Sequence, residues 1–326
     1  MKDRTAKRVN GFFLSLVLLH LIASILVSML SLSAVEIGTF GTLMFTQLLV
    51  LVPSFIFLLL FRVDLSEWIP FKKIRPGTVA LIILFTFLIM PVISLINVFS
   101  QLFTTNTAVE MSGDFLGLPP VLAVMIVGFF GPFCEEFAFR GIIFAGLRKQ
   151  GPVFAAAVLS ALYFALMHLN LNQFSYALVL GVIFCLLVEA TGSIWASMIA
   201  HAVINSWNIL LMLSFDKLYA RMGIDLYELS QGVVTTDMKL ETMGVLLVLS
   251  VFCTALAIGA FIAICRNEGR LDHVVSMFCK SEEGSEEGPK GKLLTLSGYI
   301  AIALCLFVIF FLSRVAAWVQ NTFINS

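Results

Sequence analysis

Nine stretches of mostly apolar sequence, each close to the length of a membrane crossing, constrain this chain more than any other feature. They cover residues 11–33, 39–61, 78–101, 119–147, 152–169, 173–190, 193–213, 242–265 and 293–318. About 20 apolar residues in a helix span the roughly 30 Å of bilayer hydrocarbon, and a helix satisfies its own backbone there. The predicted fold class is therefore all-α: a polytopic membrane bundle of about nine transmembrane helices. The polar break between the fifth and sixth runs is only Leu169 to Asn172, so a count of eight stays open. Composition agrees, since 60% of the 326 residues are hydrophobic and 12% are charged. A soluble domain carries about 25% charged residues.

Net charge is zero, which removes nucleic acid as a default partner and leaves the bilayer. The distribution says more. With the N-terminus cytoplasmic, fifteen of the twenty basic residues fall in the tail and in segments 62–77, 148–151 and 266–292. Outer loop 214–241 holds three, Lys217, Arg221 and Lys239, beside five acids. Basic residues concentrate on the cytoplasmic side, so the expected orientation is N-terminus inside and C-terminus outside. The first run is too long for a signal-peptide core and lacks a small-residue cleavage site, so it reads as a retained helix. Six cysteines without paired spacing argue against a disulfide framework or a cysteine zinc site. Residues 281–292 (SEEGSEEGPKGK) read as a polar linker. No internal repeat is evident, which disfavours a transporter.

Charges inside a span cost roughly 2.5–3.5 kcal/mol each on insertion scales and mark function by default. The fourth run carries Glu135, Glu136 and Arg140 within G-P-F-C-E-E-F-A-F-R-G. Glu136 and Arg140 are i,i+4 neighbours and can pair; Glu135, turned about 100° away, is freer to face a cavity. Pro132 removes a helical hydrogen bond, so a kink or widened turn is expected near Gly128. The fifth run ends Phe164-Ala-Leu-Met-His168 and the seventh contains His201-Ala-Val-Ile-Asn205. Counting about 1.5 Å per residue brings these groups to compatible depths around one cavity. A charge-paired packing site without chemistry is the bland alternative, but two adjacent carboxylates for one arginine fit it poorly.

A carboxylate with an imidazole can activate water, while a second histidine and an amide can donate to an oxyanion. That set suits amide hydrolysis. Glu135, His168 and His201 equally match the ligand set of catalytic zinc, and residue types do not decide between metal and no metal. No H-E-x-x-H, G-x-G-D or G-x-S-x-G occurs; the Gly113-Asp114 pair sits in a loop after Met111.

In order, E-E-x-x-x-R (Glu135, Glu136, Arg140), F-x-x-x-H (Phe164, His168) and H-x-x-x-N (His201, Asn205) resemble the motifs of the CPBP family. That family comprises the CAAX-processing endopeptidases and the bacterial bacteriocin-processing or Abi proteins. The resemblance covers about 119–213, giving a three-span segment 1–118, a four-span catalytic core 119–213, and a remainder 214–326 of outer loop, linker and two spans. It implies a glutamate-dependent intramembrane endopeptidase, a class often labelled metalloprotease, and it points to a bacterial plasma membrane. By that likeness Glu135 activates water with help from His168. His201 and Asn205 polarise the scissile carbonyl, and Glu136 and Arg140 support the site. The partner is then a peptide or protein substrate at the membrane. Prenylated C-a-a-X tails are the eukaryotic family substrate, and bacterial relatives are tied to peptide maturation or self-immunity; the sequence does not choose. A non-catalytic scaffold or immunity-type protein is the alternative, with a transporter or proton relay behind it. His20, expected to bond to a neighbouring helix, and Glu189, expected to snorkel at a span end, read as structural.

Overall fold

The computed structural model describes residues 2–32, 38–106, 115–224, 234–278 and 291–319. Most of the sequence linker and the Gly113-Asp114 pair lie outside them. The described residues form helices and no strand: α1 (Lys2–Leu32), α2 (Thr39–Leu60), α3 (Leu65–Trp68), α4 (Pro76–Ser100) and α5 (Pro120–Leu147) come first. Then follow α6 (Val153–Met167), α7 (Leu171–Thr191), α8 (Ile194–Arg221), α9 (Thr236–Asn267), α10 (Leu271–Ser276) and α11 (Leu296–Val319).

Each of the nine apolar runs corresponds to one of these helices. Seven are long and apolar enough to cross a membrane, and α6 and the apolar part of α11 are shorter. The chain is an integral membrane protein with a polytopic helical fold. The narrow break at Leu169–Asn172 is a real turn. Leu169 takes a left-handed φ of 52°, and the Asn170 side chain caps α7 by accepting from the Gln173 N–H at 2.8 Å. Loop 214–241 is shorter than expected, because α8 continues to Arg221 and α9 begins at Thr236.

Helices α5 and α7 form the centre: 50% and 56% of their apolar windows are buried, against 17% for α9. Outer faces such as Leu59, Val121 and Val248 remain exposed, as suits a chain whose solvent is lipid. At one end of the bundle the basic segments gather. Asn10 donates to the Leu293 carbonyl at 2.9 Å, Ser193 to the Lys72 carbonyl at 2.5 Å, and Arg75 to that of Asn267.

Glu189 departs from the snorkelling expectation. It is buried, bonded to Arg148, 2.7 Å from His273 Nε2 and 3.6 Å from Arg270 Nη2. Three partners from α10 and the end of α5 hold a carboxylate that lipid or water exposure would otherwise have to solvate. It cross-links elements and is no free helix-end charge.

Candidate active site

The site begins with a register change in α5. Residues Val124–Phe130 and Phe137–Phe144 are π-helical, flanking an α-helical Gly131–Glu136. The widened turn expected near Gly128 is the first of these. Gly131 N–H bonds to the Ile126 carbonyl, five residues back. In that register the donor for the Val127 carbonyl would come from residue 132, a proline with no N–H. Asn205 of α8 supplies it, Nδ2 donating to Val127 O at 3.1 Å. The proline thus creates an orphan acceptor, and the asparagine one helix away fills it.

Downstream, the two adjacent carboxylates part company. Glu136 is fully buried and accepts from Arg140 Nη1 at 2.9 Å. His201 Nδ1 lies 2.9 Å from the same Glu136 oxygen. Arg140 has further contacts: Nη2 donates to the Gly181 carbonyl at 3.2 Å, and its guanidinium lies 4.3 Å from the Phe164 ring centre and 5.1 Å from that of Phe184. The rings therefore add cation–π attraction to the ion pair. Gly181 also lets α7 pack closely on α6, since a Cβ there would sit 2.7 Å from that of Ala161. His201 stacks on Phe184 at 5.0 Å between centres. A carboxylate normally accepts, so Nδ1 carries the proton and Nε2 is the free ring nitrogen. Nε2 lies 3.8 Å from Glu135.

Glu135, rotated off this network, has a side chain 22% exposed against 0% for Glu136. It lines a cavity of about 140 Å³ together with His168, Phe139, Phe164 and Met167. The opposite wall comes from outside the motif-bearing helices: His20 of α1 and Thr46, Gln47 and Val50 of α2. His20 does not reach a neighbouring helix as expected. Its Nδ1 lies 2.9 Å from the Leu16 carbonyl of its own helix, and its ring faces the cavity. These wall residues carried no motif, and only the lone polar character of His20 and Gln47 within apolar runs signalled them.

The structure therefore brings Glu135, Glu136, Arg140 and His201 into one chain of contacts and sets His168 at the same cavity as Glu135. It seats Asn205 a turn away, on the α5 backbone. The zinc set fares differently. No group of three or more His, Cys, Asp or Glu side chains gathers at metal-ligand spacing among the described residues. As placed, Glu135, His168 and His201 do not fit a three-ligand site, and no step below runs through a metal.

Residues 117–207, which hold every one of these motif residues, match the family model for "Type II CAAX prenyl endopeptidase Rce1-like" proteins. A similar protein is YdiL of Bacillus subtilis (strain 168), described as a candidate membrane peptidase. It is 29% identical over 92 residues, which make up 28% of this chain and 38% of that protein. No solved structure matches the chain. Residues 117–207, the stretch that builds the Glu135–His201 constellation, are thus similar to Rce1-like type II CAAX prenyl endopeptidases, and the chain spans well under half the length of the curated relative it matches.

Proposed function

We propose that this chain is an intramembrane endopeptidase hydrolysing a peptide bond in a membrane-associated peptide or protein. The observation that carries the reading is the division of labour between adjacent carboxylates. Glu136 is consumed by Arg140 and His201, while Glu135 faces a cavity shared with His168. A buried ion pair alone needs no cavity and no second carboxylate.

In this reading a water sits between Glu135 and His168. Glu135 takes its proton, and the oxygen attacks the scissile carbonyl, forming a C–O bond. Negative charge on the carbonyl oxygen is met by the second N–H of Asn205 and by His201. With Nδ1–H given to Glu136, Nε2 is the His201 ring nitrogen turned toward Glu135 and the reacting carbonyl. Glu135 then returns the proton to the leaving nitrogen as the C–N bond breaks, leaving a carboxylic acid and an amine. Glu136 and Arg140 fix the tautomer and position of His201. The cleaved bond lies within the membrane of a bacterial cell, with the N-terminus cytoplasmic and the C-terminus outside. The gathering of basic segments at one end of the bundle supports that orientation.

The test is purified protein in detergent with a library of membrane-soluble peptides, read by mass spectrometry. Cleavage by the wild type that disappears in Glu135→Ala and in His168→Ala is expected. Equal cleavage by those variants would overturn the reading, as would rescue of a cellular phenotype by Glu135→Ala.

A further inference from the structure

The wall of the cavity contributed by α1 and α2 is rich in hydrogen-bond acceptors. His20 Nδ1 meets the Leu16 carbonyl at 2.9 Å, and a carbonyl only accepts, so Nδ1 carries the proton. Nε2 is then the acceptor of a neutral ring that lines the cavity. Thr46 gives its hydroxyl hydrogen to the Leu43 carbonyl at 2.8 Å, leaving its oxygen with lone pairs only. Gln47, whose side chain also lines the cavity, has a buried Oε1 with no hydrogen-bond partner, an acceptor still to be satisfied. Glu135, across from them, is a fourth acceptor when ionised. The His20 and Thr46 hydrogens are thus committed to their own helices, which leaves those two side chains only acceptor atoms to offer.

A wall of this kind fits an occupant that brings hydrogen-bond donors. We propose that His20, Thr46 and Gln47 bind substrate by accepting hydrogen bonds from backbone N–H groups of an extended peptide laid across Glu135. An extended peptide offers N–H groups at regular intervals on each edge. Val50, Phe139 and Met167 give apolar surface between the acceptors for its side chains. This assigns a substrate-binding role to helices that lie outside the family-matched stretch, with α5 and α6 carrying the chemistry and α1 and α2 holding the chain being cut. The inference rests on the peptidase reading above.

The experiment takes one internally quenched peptide that the wild type cleaves and a set of its analogues, each with one peptide link near the scissile bond replaced by an ester. An ester keeps the shape and removes one N–H donor. Gln47→Leu and His20→Phe are expected to raise KM by about three- to tenfold while kcat stays within about twofold, the scale of a lost neutral hydrogen bond. One ester position should raise the wild-type KM by the same factor and leave that of Gln47→Leu unchanged, because the acceptor is already gone. A merely structural role would not produce that match. KM unmoved in both variants, ester and substitution penalties that multiply at every position, or a fall in kcat alone would overturn the proposal. A wild type that cuts no peptide ends the peptidase reading as well, whereas cleavage with donor-insensitive KM ends this inference only.

Discussion

Glu135 and Glu136 are chemically identical, covalently adjacent and opposite in circumstance. Glu136 sits in a dry network with one arginine, one histidine and two aromatic rings; Glu135 borders open volume. The single turn of 100° between neighbouring helix positions separates them. A buried carboxylate tied into an ion pair is costly to disturb but poor at taking up a proton. One beside a cavity can exchange with water. The same helix therefore supplies a rigid anchor and a reactive group, and the anchor fixes the histidine that reaches back to the reactive one.

That contrast can be broken by substitution. Glu135→Gln should cost the most in turnover: about 10²–10⁴ in kcat, the usual range for a lost general base, with no loss of thermal stability in detergent. Arg140→Leu should do the reverse and attack the fold. Removing one partner of a buried pair costs about 3–5 kcal/mol, measurable by denaturant unfolding in detergent, and activity would fall with folded protein. Asn205→Leu should cost about 1–3 kcal/mol, the penalty for stranding the Val127 carbonyl. Pro132→Ala restores a backbone donor in that register, so the Asn205→Leu penalty should shrink in the Pro132→Ala background. Additive penalties in that double-mutant cycle would mean Asn205 does not cap α5. The smallest effect belongs to His273→Ala, which removes the most exposed of the Glu189 partners and should cost no more than about 1 kcal/mol, with kcat unchanged.

Apolar run length exposed the nine helices because the bilayer sets that length by itself, independent of tertiary contacts. The Glu136–Arg140 pair was equally legible, since i,i+4 spacing is a local property of one helix. Groups whose roles depend on distant partners were not. Glu189 looks like a snorkelling end charge until Arg148, Arg270 and His273 arrive from other elements. The hydrogen bond from Asn205 to Val127 depends on a π-helical register that places Pro132 where a donor belongs. His20 and Gln47 stand about 90 to 115 positions before Glu135, and only helix packing sets them across one cavity from it. Their place on the cavity wall joins the flanking helices to the site, which the motif spacing had confined to 119–213.

The most direct measurement compares Glu135→Gln and Glu136→Gln in the same detergent preparation, reading peptide cleavage by mass spectrometry and unfolding by thermal melt. Glu135→Gln is expected to melt with the wild type and lose about 10²–10⁴ in kcat, while Glu136→Gln melts earlier. A Glu135→Gln protein that cleaves at the wild-type rate, with loss of cleavage confined to Glu136→Gln, would contradict the assignment of Glu135 as the base.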